Sequence, residues 1–138
     1  AGYSGTPLAQ KLGFKDGQRV LFLDLPENLA ELAESRAFAS VERRGWDGLG
    51  EASGLDVVHG FATSRATLES SAEPLAASIE RDGMVWVSWP KRVSRVLTDV
   101  TEDVIRDVLL PTGLVDVKVA AIDGVWSGLK LVIRRELR

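Results

Sequence analysis

Arg19-Val20-Leu21-Phe22-Leu23-Asp24-Leu25 is a nearly continuous apolar run, and it decides the fold. A strand with one face in water alternates apolar and polar residues, whereas an unbroken apolar run is typical of a strand buried on both faces. Strands of that kind lie inside parallel sheets that are covered by helices on each side. The run therefore predicts an inner strand of an α/β domain.

The segments on either side of this run fit the same architecture. Pro7 suits the first turn of a short helix over residues 6–13, and a second helix is expected from Pro26 to about Arg36. Ser64 should begin a longer helix, which Pro74 should kink or divide. Further strands are expected over residues 38–43, 55–62, 84–89, 114–123 and 129–135.

The C-terminal half completes the predicted topology. Asp99 with Glu102 resembles a capping box at the start of the last helix. The turn at Asp123-Gly124 leaves so short a connection between the last two strands that they must be antiparallel. Residues 1–138 are thus predicted to form a single three-layer α/β domain, with a mostly parallel sheet and a C-terminal antiparallel strand pair.

Composition narrows the classes of function. The chain has 138 residues, no cysteine and a single histidine, His59, so thiolate and multi-histidine metal sites are excluded and we expect no metal. The net charge of −3 argues against nucleic-acid binding, which needs a basic surface. No apolar stretch approaches the roughly 20 residues of a membrane span, and the first residues lack a signal-peptide pattern. We expect a cytoplasmic protein with no membrane partner.

Three local runs resemble the core of the class I S-adenosylmethionine methyltransferases. They are Lys11–Leu21 before the first strand, Asp56-Val57-Val58 in a later strand and Asp82–Val87 in the next. The resemblance implies a Rossmann-like, methyltransferase-like fold. Only residues 26–54 separate the first strand from its long successor, so we expect a shortened topology that lacks at least one early strand.

A second resemblance extends from end to end of the chain. Several runs are similar to those of a bacterial family of small uncharacterised proteins: Gly2–Ala9 with Lys11–Gly13, Trp89-Pro90-Lys91, Gly113–Val119 and Trp126–Leu129. That family is classed as a domain of unknown function, so the resemblance implies no particular activity.

The turn after the first strand contains no glycine. Dinucleotide-binding turns use glycine to bring the backbone close to a pyrophosphate, but here Pro26 removes an N–H donor and Glu27 would repel phosphate. We therefore expect no cofactor, with S-adenosylmethionine, which carries no phosphate, as the alternative. By analogy with the methyltransferase carboxylate, Glu42 is the candidate for its ribose; a solvated edge charge is the competing interpretation.

Ligands of open α/β sheets gather beyond the carboxyl ends of the strands. Asp24 and Trp89 should lie at that edge, next to a basic loop that could hold an anionic small molecule or an RNA phosphate, unless it is simply solvated. The loop's candidate residues are Lys91, Arg92 and Arg95. Ser4 and Thr6 are further candidate ligand donors, and Trp46 and Trp126 are candidate interface residues that could instead close the core.

No residue pattern marks a catalytic group. His59 stands among apolar residues, which favours a buried structural histidine over a general base. Our leading hypothesis is a non-catalytic Rossmann-like binding or interaction module for an anionic small molecule. The alternatives are a divergent S-adenosylmethionine-dependent methyltransferase and a protein-interaction adaptor or homodimer subunit.

Overall fold

The computed structural model describes residues 7–138, which form six strands and three α-helices. The strands are β1 (Arg19–Leu23), β2 (Ser40–Arg44), β3 (Leu55–Phe61), β4 (Ile79–Pro90), β5 (Leu114–Ala121) and β6 (Trp126–Ile133). The α-helices are α1 (Leu8–Lys11), α2 (Arg65–Ser78) and α3 (Glu102–Leu109), and the segment Glu27–Glu34 is a 3₁₀ helix.

The described strands form one sheet in the order β2-β1-β3-β4-β6-β5. β1, β2, β3 and β4 run parallel to one another, whereas β6 is antiparallel to both of its neighbours, β4 and β5. The predicted α/β class, the mostly parallel sheet and the C-terminal antiparallel pair are confirmed. Within the described residues, β2 is the one strand beyond β1, as the short spacing over residues 26–54 predicts.

The sheet is covered on both faces, as the apolar run at β1 predicts. Leu21 and Leu23 join a core cluster that also includes residues of α2 and α3. Val20 and Phe22 point to the opposite face, where α1 and the 3₁₀ helix supply the cover. All four side chains are at most 2% exposed, and each contributes roughly 1.5–3 kcal/mol of burial free energy.

The two edge strands are far more exposed. All five residues of β2 lie in solvent, and two exposed ion pairs, Arg43 with Glu27 and Arg44 with Glu42, occupy this edge. In β5 the pairing register with β6 shifts between Asp116 and Lys118. Val117 and Val119, at and after this shift, are about half exposed.

Two expectations about helices need correction. α2 runs through Pro74 without interruption. Pro74 has no N–H to donate to the carbonyl of Ser70, but Ser70 is exposed, so water can donate to that carbonyl instead. Asp99 does not cap α3. Thr101 does, accepting a hydrogen bond from the Val104 N–H at 3.2 Å, while the Asp99 carboxylate accepts from the Arg65 N–H at the start of α2.

Among residues 7–138, none of the helices combines the length and the apolar character that a bilayer crossing requires.

Candidate ligand-binding edge of the sheet

At the carboxyl ends of the neighbouring strands β1 and β3, the chain leaves the sheet toward opposite faces. The 3₁₀ helix after β1 packs on one face of the sheet, and α2 after β3 packs on the other. In open α/β sheets the crevice that holds the ligand lies beyond the strand ends at such a point of divergence, and we call this region the candidate crevice. The β1 and β3 ends therefore define the candidate site.

Asp24 makes the turn that leaves β1. Its φ is +55°, in the left-handed region that glycine favours and that aspartate and asparagine can also adopt. Its N–H donates to the Arg44 carbonyl of β2 at 2.8 Å, which holds the turn in place. Asp24 thus makes the sharp bend after β1, a position where dinucleotide-binding turns use glycine.

A second carboxylate, that of Asp47, lies beside Asp24 across Gly45. A Cβ atom built on Gly45 would be 2.8 Å from Asp47 Oδ1 and 3.5 Å from Asp24 Oδ1. Partial burial, and then the negative charge of Asp47, raise the pKa of Asp24 above its ordinary value. Within the described part of the chain neither carboxylate has an ion-pair partner or accepts a hydrogen bond. Asp47 is not among the candidates predicted from the sequence, because it lies in a glycine-rich segment that contains no ligand-binding motif.

Trp46 packs against the carboxyl end of β3. Its indole lies directly over Gly60 of β3, where an added Cβ would be 2.4 Å from the ring, and its Nε1–H donates to the Phe61 carbonyl at 2.8 Å. The side chain is buried, so the structure places this candidate interface residue in the core at the carboxyl end of β3.

Asp123 ties together the loops at the same edge. Its carboxylate accepts from the amide of Asn28 at 3.2 Å and from the backbone N–H of Trp126 at 2.8 Å, while its carbonyl accepts from Lys91 Nζ at 2.6 Å. Trp126 is partly buried and packs edge-on against Phe61, with ring centroids 5.2 Å apart. Sequence analysis assigned Asp123 only to a turn, yet it joins three loops.

Three of the predicted site residues lie together at the carboxyl end of β4 and directly after it. Trp89, Lys91 and Arg92 line a groove of about 350 Å³ between the basic loop and the segment before α3. Arg95, in the left-handed conformation at φ +59°, is exposed and does not line this groove. The structure thus divides the predicted basic cluster into two groove residues on one side and Arg95 on the other.

The remaining candidates lie elsewhere. Glu42 pairs in register with Leu21, two residues before the end of β2, and its carboxylate bonds to Arg44. Ser4 and Thr6 fall outside the residues that the structure describes. No cluster of three His, Cys, Asp or Glu side chains suited to a metal is found within residues 7–138.

His59 is fully buried between aromatic rings. It stacks on Phe61 with centroids 4.4 Å apart, and its Nε2 lies 2.7 Å from Ser88 Oγ. Burial lowers the pKa of His59 to about 3, so the imidazole is neutral at physiological pH. Its Nδ1 has no hydrogen-bond partner in the described structure. The ring packs in the core, out of contact with solvent.

The fold, compared as a whole, is that of the Rossmann-like methyltransferases. Neither a family model nor a curated protein matches the sequence. Solved structures do match, and several of them are methyltransferases.

Magnesium protoporphyrin IX methyltransferase from Synechocystis, solved with bound S-adenosylhomocysteine, has a TM-score of 0.66 and 13% identity. The match covers 91% of this chain and 79% of that one. A TehB-like S-adenosylmethionine-dependent methyltransferase from Corynebacterium glutamicum has a TM-score of 0.59 and 12% identity, with 96% of this chain and 90% of that one covered. At such identities the likeness establishes the fold.

The expectation of no cofactor is wrong. The Synechocystis enzyme of this fold holds S-adenosylhomocysteine in one structure and S-adenosylmethionine in another, the latter matching at a TM-score of 0.58 and 12% identity, over 86% of this chain and 71% of that one. The expectation rested on the turn that contains no glycine. That turn still makes the bend after β1, because Asp24 adopts the left-handed conformation.

Proposed function

We propose that this protein binds S-adenosylmethionine beyond the carboxyl ends of β1 and β3, as a divergent methyltransferase. The observation that carries the proposal is the pair of adjacent carboxylates, Asp24 and Asp47, at the crevice of a methyltransferase-like fold. Solved proteins of this fold that hold S-adenosylmethionine or S-adenosylhomocysteine support it.

The side chains at the crevice fit the chemistry of this cofactor. S-adenosylmethionine bears a positive sulfonium and an ammonium group, and its ribose offers two hydroxyl donors; when bound, it supplies an electrophilic methyl group. Asp24 and Asp47 are acceptors that would bind the ammonium group or the ribose hydroxyls. Burial, and then the charge of Asp47, raise the pKa of Asp24, so a cationic ligand group that relieves the repulsion between the two carboxylates would add to the binding free energy.

The other residues here support the site from within the core. Trp46 is buried and is held by its hydrogen bond to Phe61, so it would fix the carboxyl end of β3. Leu25, directly after the Asp24 turn, is also buried. Pro26 gives no N–H to the site, so the acidic side chains take a larger share of the binding than in a glycine-rich turn.

The direct test is calorimetry with S-adenosylmethionine and S-adenosylhomocysteine. We expect both to bind, and Asp24→Asn to weaken S-adenosylmethionine by about ten-fold or more, because it removes a charged acceptor from a cationic ligand. Asp107→Asn is the matched control: Asp107 is an exposed carboxylate on α3, and its loss should leave the affinity unchanged. Absence of binding at millimolar concentration of either compound would exclude the proposal.

A non-catalytic binding module is the second candidate function. The observation that favours it is the groove with Lys91 and Arg92, which could retain an anion without any chemical step. Incubation with S-adenosylmethionine and cell extract separates the two: methylated products, detected by mass spectrometry, support transfer, whereas an anion retained by the protein without any methylated product supports the module.

We also infer kinship with the small bacterial family of unknown function. The inference rests on sequence similarity to that family in three runs, Trp89-Pro90-Lys91, Gly113–Val119 and Trp126–Leu129. An alignment of related sequences that kept Asp24 and Asp47 together with these runs would support both this kinship and the proposed site.

A further inference from the structure

The groove beyond β4 is separate in its lining from the Asp24–Asp47 crevice. Its volume of about 350 Å³ is in the range of small-molecule sites, which is roughly 300–1,000 Å³. Pro90 and Trp89 form one end, where the strand stops, and Val96, Thr98 and Val100 form the side toward α3. The space is therefore large enough for one small molecule and is built by two consecutive segments of the chain.

The charge in the groove is positive and is not neutralised by the described residues. Lys91 Nζ donates to the backbone carbonyl of Asp123 at 2.6 Å, so it is held in place while keeping its charge. Arg92 makes no ion pair and no side-chain hydrogen bond within residues 7–138, where other arginines such as Arg106 pair with carboxylates. An unpaired guanidinium beside an ammonium group is complementary to an anion, and its planar fork matches a carboxylate.

The rest of the lining is apolar or already satisfied. Trp89 is half-buried against the core and offers an indole surface to the groove. Val96, which is 42% exposed, adds aliphatic surface. The Thr98 hydroxyl is already used: it donates to the Thr63 carbonyl at 2.8 Å and accepts from the Val100 N–H at 3.0 Å. A ligand with a charged end and a flat apolar body fits this combination, whereas a small hydrated anion leaves the indole surface in water.

We propose that the groove is a binding site for a small aromatic carboxylate, with Arg92 and Lys91 holding the carboxylate and Trp89 packing on the ring. The site goes beyond the cofactor crevice and needs no cofactor to be measured. Its ligand is a small molecule of this class; inorganic anions and uncharged aromatic compounds are the comparisons that the test includes.

The test is a titration of the cofactor-free protein with 2-naphthoate, followed by the NMR signal of the Trp89 indole N–H. That signal is assigned from its loss in Trp89→Phe. The neutral isostere 2-naphthamide and inorganic phosphate are titrated in parallel. We expect saturable shifts with 2-naphthoate, and affinities for the amide and for phosphate that are weaker by about ten-fold or more.

Arg92→Gln and Arg95→Gln form a matched pair on one loop. Arg92 lines the groove and Arg95 does not, so the first substitution should weaken 2-naphthoate by about ten-fold or more and the second by less than about two-fold. Equal weakening by the two variants, or equal binding of naphthoate and naphthamide, overturns the proposal. Because no S-adenosylmethionine is present, a failure here is distinct from failure of calorimetry with the cofactor.

Discussion

At the scale of single residues, the contact between Gly60 and Trp46 is the tightest constraint at the candidate site. A methyl group at position 60 would lie 2.4 Å from the indole, so Gly60→Ala must displace Trp46 or the strand. We expect it to reduce the free energy of unfolding by about 1–3 kcal/mol, measured by urea denaturation, with a change in tryptophan fluorescence.

Gly124→Ala is the control for that substitution, because nothing lies within 4 Å of a Cβ at Gly124. The control should stay within about 0.5 kcal/mol of the unmodified protein. Similar losses for the two variants would contradict the packing of Trp46 against Gly60.

His59 predicts a dependence of stability on pH. Its pKa is about 3 in the folded protein and about 6.5 when unfolded, so below pH 6.5 the unfolded chain binds a proton that the folded one does not. Stability is therefore lost as the pH falls from about 6.5 toward 3, by up to roughly 1.4 kcal/mol per pH unit. Urea denaturation at about pH 7.5 and about pH 5 should differ by about 2 kcal/mol from this group, before most carboxylates titrate.

His59→Gln isolates the contribution of the imidazole. The variant loses the titrating group, so its stability should change by about 2 kcal/mol less over the same interval, whatever its absolute value. The same change of stability in the variant and in the unmodified protein would show that other groups cause it.

The individual residues of the site were only partly predictable from the sequence. Asp24, Trp89 and Lys91 could be placed at the edge because the carboxyl ends of parallel strands meet there. Asp47 could not, since its position depends on how residues 45–54 fold back toward β1, and no periodic pattern encodes that path. The signal that could have found it is the acidic side chain one residue after a large aromatic in a glycine-rich segment.

At the scale of elements, Thr101 and not Asp99 caps the start of α3, and this assignment can be tested. Thr101→Ala removes the acceptor for the Val104 N–H and should cost about 1 kcal/mol of unfolding free energy, measured by thermal or urea denaturation. Thr101→Ser keeps the oxygen and should recover most of that loss. If Thr101→Ala is neutral, the hydroxyl does not cap α3.

The strands were easier to predict than the ends of the helices. An apolar run such as 19–25 has one stable environment, a sheet covered on both faces, so the inner strands followed from burial alone. Helix starts depend on single hydrogen bonds, and Asp99 and Thr101 are both able to supply one. The choice between them depends on the position of Arg65 in α2, which is distant in sequence.

At the scale of the whole molecule, the inner strands couple the two core clusters. β1, β3 and β4 each send alternate side chains to opposite faces, for example Val57 to one cluster and Val58 to the other. Neither cluster can lose its packing while the other keeps its strands. We therefore expect one cooperative unfolding transition, with the urea curves from tryptophan fluorescence and far-ultraviolet circular dichroism superimposing. Separate midpoints for the two signals would show that the faces unfold independently.

The exposed strand β2 has a consequence for how copies of this protein behave at high concentration. With no further strand beyond it in the described sheet, its outer backbone groups are a template on which a second chain could add. Glu42, Arg43 and Arg44 make that addition costly, because an incoming strand would have to strip water from three charges. The charges of β2 therefore disfavour aggregation through this edge. Replacing them with valine or threonine should promote fibre-like assembly.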